Sequence, residues 1–148
     1  LLSNILGGPG MNSLLNVALR ERRGLVYTFE STTAMFTDAG ALMIYFGCDP
    51  DDLKKCCKWV NNTIDSLANN KLSARALEAA KKQYLGQLAV ASENRDQMAL
   101  AIGRSVLYHN RVASPGETRQ LITDITADDL LQAAQLIASA NCSTLTLG

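Results

Sequence analysis

Histidine is nearly absent from this 148-residue chain: His109 is the only one. A serine triad, a cysteine–histidine pair or a histidine general base would each have to be built on that residue. A zinc site needs three or four His, Cys or carboxylate ligands, and neither His-Glu-x-x-His nor His-x-x-Glu-His occurs. His109 falls near the end of a predicted helix, where an imidazole serves equally well as a capping or surface group, and that is the favoured reading. No CxxC pair exists among Cys48, Cys56, Cys57 and Cys142, which suits neither a zinc knuckle nor a dense disulfide framework. Buried free thiols are the simplest interpretation.

Net charge is also missing. Fourteen Lys plus Arg balance fourteen Asp plus Glu, so there is neither the basic field of a nucleic-acid binder nor a polyacidic tail. Every apolar run is interrupted well before the ~18 residues that cross a bilayer, and the first residues lack the basic region of a signal peptide. The expected partners therefore include no nucleic acid and no membrane. The expected compartment is the cytoplasm, with the periplasm as the alternative.

What is present is apolar residue in quantity: 47% hydrophobic against 19% charged, enough for a sizeable core in one domain spanning 1–148. Leu1 to Leu6 reads as the tail of a helix that runs into Gly7-Gly8-Pro9-Gly10, and the missing N-cap suggests a domain cut at its N-terminus. Asn12 or Ser13 is positioned to cap a second helix carrying Leu14, Leu15, Val17, Ala18 and Leu19, which closes with Arg20, Arg22 and Arg23 before Gly24. Leu25 to Phe36 and Ala41 to Cys48 read as strands joined by the turn Thr37-Asp38-Ala39-Gly40, an antiparallel hairpin. Asp49-Pro50-Asp51-Asp52 starts a helix whose stripe is Leu53, Cys56, Cys57, Val60, Ile64 and Leu67, which puts both adjacent thiols on or beside the buried side.

Ser73 caps a helical stretch predicted to run to about Asn110, with apolar positions Leu77, Tyr84, Leu88, Met98, Ile102 and Val106 and a polar middle, Ser92 to Asp96, as its candidate break. Ser114-Pro115-Gly116-Glu117 has capping-box spacing, Thr126-Ala127-Asp128-Asp129 opens a last helix, and Cys142 to Leu147 alternates as a final strand. This order predicts an α+β fold, an antiparallel-rich sheet with helices packed on one face.

The glycines at 7, 8 and 10 have no preceding strand and no Gly-Lys-Ser/Thr, so a phosphate loop is excluded; they suit a tight bend or a backbone approach to an extended peptide. Arg20 and Tyr27 flank Gly24. Arginine offers a fixed fork of donors and tyrosine one hydroxyl, a pair able to grip carbonyl oxygens or a developing oxyanion. Spacing alone favours blander roles: Arg20 as a solvated partner of the helix dipole, Tyr27 alternating with Leu25 and Phe29 on a core face.

Three runs carry a resemblance: Asn4-Ile5-Leu6-Gly7-Gly8, Met11-Asn12-Ser13-Leu14-Leu15 and Leu19-Arg20-Glu21-Arg22-Arg23-Gly24-Leu25-Val26-Tyr27. Together they resemble the C-terminal half-domains of the pitrilysin or insulinase-type zinc peptidases, a family that includes the mitochondrial processing peptidase. Gly47-Cys48-Asp49-Pro50, Ala80-Lys81 to Leu85 and Thr126 to Leu130 extend the likeness over nearly the whole chain. The resemblance implies two halves facing across a cavity, zinc and the water-activating glutamate being held by a His-x-x-Glu-His half that is not in this chain. It implies that Arg20 orients the peptide backbone and that Tyr27 bonds the carbonyl or the oxyanion.

The expected site residues are thus Arg20 and Tyr27 for substrate, with no complete catalytic set and no metal ligand here. The expected partners are a peptide substrate and a catalytic half-domain on the same or another chain, and the isolated chain is expected to be inactive. The alternatives are a non-catalytic structural or interaction subunit of the same fold and an unrelated peptide-binding domain.

Overall fold

The computed structural model describes residues 1–36, 38–138 and 141–147. Its elements are α1 (Leu2–Gly7), a π-helical turn (Asn16–Glu21), β1 (Val26–Met35), β2 (Gly40–Cys48), a 3₁₀ turn (Pro50–Asp52), α2 (Leu53–Asn69), α3 (Ala74–Ala91), α4 (Arg95–His109), α5 (Pro115–Asp124) and α6 (Ala127–Leu136). Contacts divide the chain into two compact units, one of Leu2–Leu72 with Ala127–Gly148 and one of Ser73–Thr126 with Leu1.

In the first unit β1 and β2 form the expected antiparallel hairpin, with Phe29 opposite Phe46, Ser31 opposite Ile44 and Thr33 opposite Leu42. Phe36 N–H bonds the Ala39 carbonyl at 2.8 Å across the predicted turn, of which Thr37 lies outside the described residues. Alternation sorts β2 cleanly: Leu42, Ile44, Phe46 and Cys48 lean on the core, while Met43 and Tyr45 face solvent. The covered face meets helices. Leu6 of α1, Leu15, Leu19 of the π turn, Val26, and Cys56, Val60, Ile64, Leu67 and Ala68 of α2 form one buried cluster with Ala134 of α6. This is the α+β arrangement that the order of elements predicts. Each fully buried leucine contributes about 1.5–3 kcal/mol relative to an exposed one, so Leu6, Leu15 and Leu19 hold α1 and the π turn against the sheet.

The α2 stripe follows the predicted spacing, with one correction: Cys56 is buried, whereas Cys57, a hundred-degree step further round the helix, is only half-buried. The Cys56 thiol donates to the Leu25 carbonyl at 3.9 Å. Burial, then the neighbouring Cys48 thiol, pushes it up to about 12. A second correction concerns Cys142 to Leu147, which form no strand; Leu145 and Leu147 are 86% and 87% exposed. Alternation alone does not make a strand, which needs a ladder partner: the sheet among the described residues consists of β1 and β2.

In the second unit the long helical stretch is interrupted where its polar middle predicts. Ser73 Oγ accepts from Ala76 N–H at 3.2 Å to cap α3, and Asn94 Oδ1 accepts from Gln97 N–H at 3.1 Å to cap α4. Ser114 and Glu117 complete a reciprocal capping box on α5, and the bonds from Ser114 hold the Glu117 carboxyl below its usual range. Lys81, buried on α3, donates to the Thr123 carbonyl at 2.7 Å and pairs with Glu78 at 3.3 Å, so its ammonium ties α3 to the last turn of α5. Of the predicted apolar stripe only Leu77 is buried. Met98, Ile102 and Val106 of α4 are exposed.

At neutral pH a maleimide reagent is expected to modify exposed Cys142 rapidly and Cys56 only on unfolding, since attack needs a thiolate that a value near 12 withholds. Peptide mapping after timed labelling checks this, and fast labelling at Cys56 in the folded protein contradicts it.

Candidate functional site

The hairpin, the glycine segment and the π turn enclose a cleft of about 530 Å³. One wall is Gly7 to Met11, where an added Cβ on Gly7 would stand 2.6 Å from that of Ser31. The opposite wall is Tyr27 to Ser31, five consecutive residues of β1. Successive side chains on a strand point to opposite faces, so a cleft lined by all five runs along the edge of β1 and not over one face. Asn16, Arg20 and Glu21 close the end.

The sequence predicts an ordinary helix capped by Asn12 or Ser13 at this end; the structure has a widened turn. Arg22 N–H reaches the Val17 carbonyl, five residues back, at 3.1 Å. Such π turns recur at functional sites. Ser13 Oγ does not cap: it is buried with no hydrogen-bond partner, as is Asn16 Oδ1 beside the cleft. The Asn16 amide instead donates to the Met11 carbonyl at 2.7 Å and to Glu21 Oε1 at 3.5 Å, which pins the glycine wall to the π turn.

Two of the arginines that close this turn have different fates. Arg23 Nη1 donates to the Ala18 carbonyl at 2.6 Å while its guanidinium lies 3.4 Å from the centroid of the Trp59 ring, a contact worth about 0.5–2 kcal/mol. Arg20 is exposed at the cleft, and its side chain makes no hydrogen bond or ion pair with a described residue. Arg23 is therefore structural, and Arg20 keeps its donors available.

Gly24 follows with φ +60°. Its N–H bonds the Arg20 carbonyl at 2.8 Å and the Leu25 N–H bonds that of Leu19 at 2.9 Å, closing the turn and aiming the chain into β1. Tyr27 then departs from the core position that alternation with Leu25 and Phe29 suggests. It is 63% exposed, and its hydroxyl donates to Asp49 Oδ1 at 3.0 Å. Partial desolvation, this bond and the Asp49 charge hold the phenol above its usual 10.0. Asp49 stands at the N-cap position of the helical turn after it, yet its side chain makes no capping bond. Register counted back from the turn does not give its partner: it puts Cys48 opposite Tyr27, whereas the structure pairs Cys48 with Val26 after a slip of one residue.

Among the described residues no group of three or more His, Cys, Asp or Glu could hold a metal ion, and His109 stands exposed at the end of α4. The described residues do not fit a zinc centre.

Residues 1–84 match the family described as the peptidase M16 inactive domain, and the chain belongs to that family. It is similar to an uncharacterized zinc protease of Rickettsia bellii, 30% identical over 148 residues that make up 100% of this chain and 35% of that protein. In fold it is similar to the peptidase M16 inactive domain from Pseudomonas fluorescens, with a TM-score of 0.75, 22% identity and coverage of 90% of this chain and 32% of that one. A chain of complex III2 from Candida albicans matches with a TM-score of 0.77 and 17% identity, over 90% of this chain and 34% of that one. The chain spans about a third of the length of the curated relatives it matches.

Replacing Gly24 by alanine is expected to lower stability by about 1–2 kcal/mol, because a Cβ in the left-handed region meets its own carbonyl even where the surroundings are open. Thermal melts of the two proteins check it. Metal analysis of the purified chain is expected to find less than stoichiometric zinc; one tightly bound zinc per chain would contradict the ligand count.

Proposed function

We propose that this chain is the substrate-gripping, zinc-free half of a zinc metallopeptidase that cleaves unstructured peptides. The family membership and the zinc protease relatives support a protease context. The observation that carries the finer reading is the cleft along the edge of β1, lined by both Arg20, whose guanidinium is unengaged, and Tyr27. In an extended peptide, the side chains vary and the backbone amides do not. A narrow slot beside a strand edge, bounded by glycine backbone and supplied with fixed polar groups, suits recognition of that invariant part. Metal and water activation belong to a separate His-x-x-Glu-His half, on the same chain or another, and this chain's own contribution is binding and orientation.

No helix among the described residues is long and apolar enough to cross a membrane. The cytoplasm is the proposed compartment. The second reading, a non-catalytic subunit, is favoured by the fold match to complex III2. The two separate on activity.

This chain reconstituted with its catalytic half is expected to cleave an unstructured peptide and to stop when a chelator is added. Tyr27→Phe and Arg20→Ala are each expected to lower kcat/KM by about tenfold or more, the scale of one lost hydrogen bond of about 1.4 kcal/mol, with melting temperatures unchanged. Wild-type kinetics in both variants would remove their role. A complex with no peptidase activity at all would favour the non-catalytic reading.

A further inference from the structure

Two of the four cysteines meet where β2 hands over to α2. Cys48 is the last residue of β2, and alternation puts its side chain on the face of Leu42, Ile44 and Phe46, packed against the core cluster. Cys56 belongs to that cluster and is fully buried. It stands in the first turn of α2. Side chains on a helix tilt toward its N-terminus, so the Cys56 thiol leans back toward the connection from β2. A third atom fixes its position. The thiol donates to the Leu25 carbonyl at 3.9 Å, and the next residue, Val26, is the one that pairs with Cys48 across the hairpin. Cross-strand partners have Cα atoms about 4.5–5.5 Å apart, which brings the Cys56 sulfur, the start of β1 and Cys48 together. The Cys48 thiol is a hydrogen-bonding neighbour of Cys56.

Neither of the other cysteines is placed in this way. Cys57 lies a hundred-degree step further round α2 and is half-buried, and Cys142 is exposed, its sulfur against the Ile137 and Ala138 carbonyls at 3.5 and 3.6 Å. We propose that Cys48 and Cys56 are a redox pair that closes to a disulfide on reaction with a low-molecular-weight disulfide, stapling the end of β2 to the first turn of α2. This stands independently of the peptide-gripping reading.

The half-buried member, Cys48, meets the reagent first. Having released its proton, its sulfur attacks one sulfur of the small disulfide; that S–S bond breaks, and the departing thiolate takes up a proton. Cys56 then releases its proton and attacks Cys48 Sγ, which forms the Cys48–Cys56 bond and expels the second small thiol. The protein has lost two electrons and two protons, and the small disulfide has gained them. Burial, with Cys48, Asp52 and Cys57 around it, pushes the Cys56 thiol up to about 12 and makes it inert toward reagents in solution. Proximity offsets this in the second step, because the target sulfur is held beside it. In a reducing compartment a bond of this kind is transient and thiols reopen it, the behaviour of a redox sensor.

The test treats the full chain with oxidised glutathione, blocks the remaining thiols with a maleimide under denaturing conditions, and maps tryptic peptides by mass spectrometry. Lys54 and Lys55 fall between the two cysteines, so trypsin separates them unless they are bonded. The expected result is a linked peptide pair, two hydrogens lighter than its reduced parts, which dithiothreitol separates. Exposed Cys142 takes up a glutathione adduct and controls for the reagent. Cys56 and Cys57 share one tryptic peptide, so Cys57→Ala, which is expected to keep the link, makes the assignment. Cys56→Ala is expected to lose the link and to trap the glutathione adduct on Cys48, while Cys48→Ala loses the link and leaves Cys56 reduced. The wild-type and Cys57→Ala maps decide the matter even where a core variant folds poorly. Cys142 modified while Cys48 and Cys56 both stay free overturns the proposal, and so does an adduct at Cys48 that never closes, or a link that Cys57→Ala abolishes.

Discussion

Between Leu19 and Val26 the chain changes from helix to strand within a few residues, and the cleft depends on that passage being sharp. Leu19 and Val26 are both buried in the same cluster, so the junction is tethered at each end while Arg20 through Leu25 must turn between them. A left-handed residue at Gly24 makes the turn and lets the last carbonyls of the π turn find partners in the N–H groups of Gly24 and Leu25. Any other residue there would add strain of about 1–2 kcal/mol. Because both flanks are anchored by burial, the backbone between them is held in place. The backbone of Arg20 is fixed in this way, with its guanidinium left unengaged.

The same economy appears in how charge is distributed. The guanidinium of Arg23 is consumed by the Ala18 carbonyl and the Trp59 ring, and this ties the π turn to α2. The carboxylate of Asp49, available to cap the following helix, instead accepts a hydrogen bond from the Tyr27 hydroxyl. The helix tolerates the exchange because Pro50 has no N–H to satisfy and Asp51 and Asp52 still place negative charge at its first turn.

Much of this was legible from residue order. Alternation located both strands, the helical spacing of Cys56, Val60, Ile64 and Leu67 gave the buried face of α2, and Ser73, Ser114 and Glu117 marked helix starts that cap as their chemistry requires. These are local signals, settled by forces acting within a few residues. The errors share a different cause. Cys142 to Leu147 has strand character but pairs with neither β1 nor β2, and Met98, Ile102 and Val106 have helical spacing but are exposed. Periodicity announces that a face is apolar; burial needs a second surface.

The sequence by itself determined the class of fold, because residue type and spacing are sufficient for it, and it drew attention to Arg20 and Tyr27. What only the tertiary structure decided was the use of those side chains. Which arginine is engaged, which helix-start acid faces a strand, and whether Tyr27 sits in the core or at a rim all turn on one slipped pair in the β1–β2 register and one glycine at +60°. A shift of one residue along a strand moves a side chain from one face to the other, and residues far apart in sequence meet only once that register is set.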